Sequence, residues 1–120
     1  MAQREKAHTP EDLTRLFVER ANAGDAEGLA ALYEPDAVMG FPPGETTVGR
    51  DAIQKIMEAM LEHGPSEFPH EEILPTLRID DLALTGTKAQ DGTGGRAQVA
   101  RRQPDGTWLR ILDRPEAGTS

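Results

Sequence analysis

The absences in this sequence narrow its function first. It has no cysteine, which removes disulfides, thiol nucleophiles and thiolate metal sites together and fits a reducing cytoplasm. It has no concentration of positive charge: 13 lysines and arginines are scattered among 21 aspartates and glutamates, for a net charge of −8. Binding a polyanion relies on clustered positive charge, so nucleic acid is not an expected partner. Long apolar runs are missing too. The opening stretch MAQREKAHTPEDL lacks the apolar centre of a secretory signal, and nothing downstream approaches the length of a membrane span. No internal repeat or low-complexity segment is present. The expectation is a cytoplasmic protein with no membrane contact, whose 120 residues make one domain with a modest core.

Helix signals fill the first half. Thr9 is placed to cap a helix that begins at Pro10, with Asp12 three residues after the cap, and Leu13, Leu16, Phe17 and Ala21 then share one face. Gly24 is the natural stop, since glycine accepts the left-handed conformation that closes a helix. Asp25 can cap a second, shorter helix presenting Leu29, Leu32 and Tyr33 before Pro35 ends it. DAVMGF reads as a short strand, followed by the turn-rich PPGETTVG. The most regular pattern is a third helix, with Ile53, Ile56, Met57, Met60 and Leu61 on one face and Gly64-Pro65 as its end.

From about Phe68 the pattern changes to strands. EEILPTLRI and LALTGTKAQ flank Asp80-Asp81, GRAQVARRQ follows the loop DGTGG, and TWLRILDR follows the turn PDG. Pro75 lacks a backbone donor, so its strand belongs at an edge or carries a bulge. Helices first and strands afterwards make an α+β domain over residues 9–115, with 1–8 and 116–120 as flexible termini. A curved antiparallel sheet whose concave side is crossed by three helices leaves a hollow of the kind that takes a small molecule.

Several of these segments, in this order and at these separations, match a known pattern: LFVERANAGDAEGLAALYEPDAV, a proline-glycine loop, VGRDAIQKIM and ARRQPDGTWLRILDRP. From Thr9 to Pro115 the chain resembles the NTF2-like superfamily, and within it the SnoaL-like and ketosteroid-isomerase-like branch. The resemblance implies a cone-shaped, cystatin-like α+β barrel with a pocket between helices and sheet, and commonly a homodimer through the outer face of the sheet. It implies no single chemistry, because the superfamily includes isomerases, cyclases, epoxide hydrolases, dioxygenase subunits and non-enzymatic binding modules.

Ketosteroid isomerases use a tyrosine, a base and an acid that together move a proton beside a carbonyl. The resemblance puts Phe17 at the tyrosine position, Phe41 at the base position and Gln98 near the acid. Phenylalanine neither donates nor accepts a proton, so that machinery is absent. Met39 and Phe41 are accordingly expected as apolar lining, with Phe17, Ile56 and Met57 beside them.

One acid remains as a chemical candidate. Strict alternation along the last strand sets Leu109, Ile111 and Asp113 on one face and Trp108, Arg110, Leu112 and Arg114 on the other. With the first face inward, Ile111 lines the pocket and Asp113 is a carboxylate in apolar surroundings, suited to acid or base work. Otherwise Asp113 ends its strand in water or pairs with an arginine. Gln98 shares a strand face with Arg96, Ala100 and Arg102 and can orient a ligand carbonyl. Tyr33 is either a pocket hydroxyl or plain core.

No metal ligand set is visible. His8, His63 and His70 have no partners at metal-binding spacing, and neither DGTGG nor any serine fits a phosphate loop or a nucleophile elbow. No cofactor is expected. An epoxide-hydrolase-like site would need a second acid that the sequence does not supply. The leading expectation is a small, largely apolar organic ligand, with acid/base chemistry of the isomerase, cyclase or hydratase type at Asp113. The alternative is a non-catalytic dimerisation or ligand-binding module whose interface is built from Trp108, Leu112 and flanking arginines.

Overall fold

A computed structural model of the chain describes residues 4–88 and 94–117, with backbone alone at 116 and 117. Three helices precede most of the strands: α1 (Pro10–Asn22), α2 (Ala26–Ala30) and α3 (Arg50–His63). Local chemistry sets their ends. The Thr9 hydroxyl accepts from Asp12 N at 3.2 Å, while the Asp12 carboxylate accepts from His8 N at 3.0 Å, so two amides that the helix cannot satisfy are paired reciprocally. Gly24 follows α1 with a φ of +70°, and Asp25 caps α2 by accepting from Gly28 N.

The strands are β1 (Tyr33–Met39), β2 (Thr47–Val48), β3 (Glu72–Ile73), β4 (Leu77–Ile79), β5 (Leu82–Lys88), β6 (Gly95–Arg102) and β7 (Trp108–Ala117). They form one curved, unclosed sheet in the order β2-β1-β7-β6-β5-β3, with β4 also on β5. The sheet is antiparallel except where β1 runs parallel to β7. Around Pro75 the expected single strand is split, and its halves β3 and β4 both pair with β5 at the sheet edge. A proline, having no amide hydrogen, interrupts the ladder there. Asp80 and Asp81 turn β4 into β5, and Gly106 (φ +86°) turns β6 into β7. In the expected DGTGG loop, residues 91–93 lie outside the described residues.

Tyr33 departs from its expected place at the end of the second helix. It is the first residue of β1, because α2 closes at Ala30 and the Leu32 carbonyl accepts from Arg110 N of β7 at 2.8 Å. A helix cannot run on into Pro35, and the sheet supplies the extended segment with partners. Residues 4–9 lie along the body: Ala7 is buried, its carbonyl accepts from Trp108 N, and Arg4 pairs with Asp25. Trp108 is 2% exposed, with Arg78 and Arg102 over its ring, so it belongs to the core and not to an outer interface. Arg101 and Arg102 reach outward instead, to Glu34 and Asp81.

Candidate functional site

The helices cover one face of the sheet, and side chains from α1, α3 and the strands enclose a cavity of about 570 Å3. Phe17 and Val18 of α1, Ile56, Met57 and Met60 of α3, and Phe41 after β1 supply an apolar wall. Gln98, Arg110 and Asp113 face them from the sheet.

Strand register explains which sheet residues point inward. Two rows of directly paired positions cross the concave face: Ala83, Ala100, Arg110 and Tyr33, then Thr85, Gln98, Asp113 and Met39. On β6 the rows are two residues apart, whereas on β7 they are three apart. The surplus residue is Ile111: Val99 pairs with Leu112 and Ala100 with Arg110, leaving Ile111 unpaired in a bulge. The bulge shifts the alternation between Arg110 and Asp113, so both face the helices. This corrects the expected parity. Arg110 lines the cavity, Ile111 does not, and Leu112 is exposed on the outer side.

Asp113 is 8% exposed. Its Oδ2 accepts a hydrogen bond from the Tyr33 hydroxyl at 2.5 Å, while Oδ1 is buried with no partner. Tyr33 is fully buried, and it sits behind Asp113 without lining the cavity. Arg50 holds its backbone, donating from Nε and Nη2 to the Tyr33 carbonyl at 2.9 and 2.6 Å. Burial, and after it the negative charge of Asp113, hold the Tyr33 phenol well above the usual tyrosine range, so it remains a donor. Arg110 donates from Nη1 to the Tyr33 oxygen at 3.5 Å and lies against the rings of Phe17 and Tyr33. The chain of donors thus runs from Arg110 through Tyr33 to Asp113.

Gln98 is also buried, and its Oε1 accepts from the Thr85 hydroxyl at 2.9 Å. With that oxygen occupied, the amide hydrogens of Nε2 are left as donors. At the far side of the cavity Arg96 pairs with Glu71, which also accepts from the Thr87 hydroxyl. No group of three or more histidines, aspartates or glutamates placed to hold a metal ion occurs among the described residues.

The sequence model of the SnoaL-like domain matches residues 14–111. The chain belongs to the SnoaL-like domain family. No curated protein matches its sequence. Among solved structures, this SnoaL-like domain is similar to a ketosteroid isomerase-like protein from Erwinia carotovora atroseptica, at 18% identity and a TM-score of 0.68, over 87% of this chain and 89% of that one. An NTF2-like protein with a cystatin-like fold from Novosphingobium aromaticivorans is 21% identical, with a TM-score of 0.62 over 86% and 75% of the two chains. A putative dehydratase of the NTF2-like family from Streptomyces avermitilis is 16% identical, with a TM-score of 0.66 over 87% and 89%. At these identities the likeness is one of fold, and it places the SnoaL-like domain in the NTF2-like, cystatin-like class.

Of the residues singled out from the sequence, Phe17, Met39, Phe41, Ile56, Met57, Gln98 and Asp113 meet at the cavity of the SnoaL-like domain. Sequence reasoning missed Arg110, because nothing in WLRILDR marks which residue will bulge. It also missed Thr14, a cavity-lining side chain whose buried hydroxyl has no partner.

Proposed function

We propose that this SnoaL-like domain binds a small, largely apolar organic molecule in the cavity and moves a proton on it, with Asp113 as the group that takes the proton up and gives it back. The observation that carries this reading is the division of labour within one carboxyl group. Oδ2 is held by Tyr33, while Oδ1 is buried, unpartnered and borne by a residue of the cavity wall. An unpaired buried acceptor is costly to keep, and it is what a general base requires: a fixed group with one free lone pair. Tyr33 orients the carboxylate, and Nε2 of Gln98 provides a donor for a ligand oxygen.

Isomerisation, cyclisation and dehydration all begin with such a proton transfer. Neighbours named as ketosteroid isomerase-like and as a putative dehydratase agree with that range. Thermal-shift screening against uncharged hydrophobic metabolites finds the ligand, since a molecule that binds only the native state raises its melting temperature. In an assay built on that ligand, Asp113→Asn is expected to lower turnover by about 100-fold or more while leaving binding measurable. Undiminished turnover in this variant removes the assignment.

The outer face of the sheet supports a second element of the proposal, a homodimer. Leu77, Leu84, Val99, Leu112, Val38 and Val48 are consecutive partners across β4, β5, β6, β7, β1 and β2. Leu77 and Val48 are 65% and 63% exposed. A continuous aliphatic row of this length is a surface that a second copy can cover. A non-catalytic binding module would keep this row and its pairing but turn over no ligand that it binds.

A further inference from the structure

The cavity wall sorts by depth. Thr14, Met57 and Asp113 on its floor are buried, whereas Phe41, His63, Pro69 and Arg96 are exposed and mark its mouth. One side of the mouth is the segment that leaves α3, which contributes Gly64, Phe68 and Glu71 besides His63 and Pro69. Between Gly64 and His70 only Phe68 is half-buried, and its ring packs against the core cluster as a plug.

Residues 65–69 belong to no helix or strand, and no backbone–backbone hydrogen bond ties them to the rest of the chain among the described residues. Pro65 and Pro69 have no amide hydrogen to offer. One side chain supplies what the backbone does not. The carboxamide of Asn22, the last residue of α1, donates from Nδ2 to the Phe68 carbonyl at 3.0 Å and accepts from Phe68 N at 2.6 Å. Both bonds are exposed, so water can replace them at small cost. Two fixed points bound the segment. Gly64 N donates to the Met60 carbonyl at 2.8 Å, and a Cβ on Gly64 would lie 2.4 Å from that oxygen, so the chain leaves α3 at this angle only through glycine. At the other end the Glu71 carboxylate accepts from Arg96 and from the Thr87 hydroxyl.

We propose that residues 65–69 are a gate over the cavity, hinged at Gly64, anchored at Glu71 and latched shut by the two hydrogen bonds between Asn22 and Phe68. Opening breaks no ladder and no helix: the Asn22 bonds pass to water, and Phe68 leaves its half-buried seat, clearing the path from the mouth to the floor at Thr14. Phe68 is the stronger restraint, because its apolar area returns to water, and Asn22 is the selective one, because its paired bonds fit only the closed position. Segments that open locally are those with few backbone hydrogen bonds and few buried apolar groups. This segment has none of the first and one of the second. The gate rests on the reading of the cavity as a binding site, and it sets how fast a ligand enters and leaves.

Because the chain has no cysteine, a single introduced thiol is a specific reporter of opening. Thr14→Cys places one on the cavity floor with nearly the same shape and no bond lost, since the Thr14 hydroxyl has no partner, and Met57→Cys serves should that variant fail to fold. Ala100→Cys or Ala30→Cys, at fully buried positions outside the cavity, reports global unfolding. Each thiol reacts with dithiodipyridine, an uncharged aromatic disulfide, and the released thiopyridone is followed by its absorbance. The Thr14→Cys rate is expected to rise about tenfold with Asn22→Ala and further with Phe68→Ala. It should change little in low urea, because local opening exposes little surface. The Ala100→Cys rate should rise steeply with urea and not with Asn22→Ala, since alanine is the better helix former. Equal acceleration of both thiols by Asn22→Ala, or equal urea dependence, overturns the gate in favour of global unfolding. A Thr14→Cys rate as fast as in the urea-unfolded chain overturns it by showing a mouth that is always open. A rate unmoved by Asn22→Ala overturns the latch. These rates need no ligand, so a cavity that binds nothing would sink the proposed function and leave the gate standing on its own result.

Discussion

The hydroxyl of Tyr33 lies 2.5 Å from Oδ2 of Asp113, joining the first residue of β1 to the inward face of β7 across 80 positions of sequence. This hydrogen bond is buried and connects the chain's only tyrosine to the only carboxylate on the sheet side of the cavity with an unpartnered buried oxygen among the described residues.

Breaking it tests its structural weight. Tyr33→Phe leaves Oδ2 buried without a donor, and the expected cost is about 1–3 kcal/mol in urea unfolding. Asp113→Asn changes the same contact from the other end, so the double variant should lose clearly less than the two single losses combined. Additive losses would show that the two side chains do not act on each other.

At alkaline pH the same tyrosine sets a limit on stability. Burial and the charge of Asp113 raise its folded pKa above the unfolded value of about 10, so the folded chain keeps a proton that the unfolded chain releases. Its contribution is fully present below pH 10 and is lost as pH rises through the folded value. Since Tyr33 is the only tyrosine, difference absorbance should show phenolate appearing together with unfolding. Tyr33→Phe should flatten the alkaline fall in stability. Phenolate formed in a fully folded protein contradicts the burial.

On the acid side the sign reverses. A hydrogen bond from Arg101, opposed by partial burial and supported by Gln103, holds the Glu34 carboxyl below the usual glutamate range. A depressed carboxylate contributes stability above its unfolded pKa of about 4.3, and this is lost as pH falls through the folded value. Urea unfolding of Glu34→Gln should therefore lie below wild type at neutral pH and converge with it in acid. Parallel curves at every pH would show the pair to be inert.

Leu84 lies in the middle of the aliphatic row on the outer face, 45% exposed and paired with Leu77 and Val99. Sedimentation velocity should find the wild type as a dimer and Leu84→Arg as a monomer with unchanged circular dichroism, because a charge at the centre of an apolar interface must be desolvated. A monomeric wild type would remove the dimer.

Helix ends, strand segments and the family were legible in the sequence because each rests on short-range chemistry. Thr9, Asp12 and Asp25 cap amides within three or four positions of themselves, and Pro75 interrupts whatever ladder it joins. The apolar lining from Phe17, Ile56 and Met57 follows from helical periodicity, which is likewise local. The position of Tyr33 was less legible, because helix and strand both tolerate LYE, and pairing with a strand near the far end of the chain decided between them.

The order of residues alone settled that an α+β domain would form with an apolar hollow and one candidate acid, since composition, periodicity and turn chemistry act over a few neighbours. Which side chains of the last strand face that hollow was left to the assembled sheet. The register of β6 against β7 makes Ile111 the surplus residue, and this one bulge turns Arg110 inward beside Asp113. Two neighbouring strands must meet before one residue can be in excess, so that information exists only in the pairing.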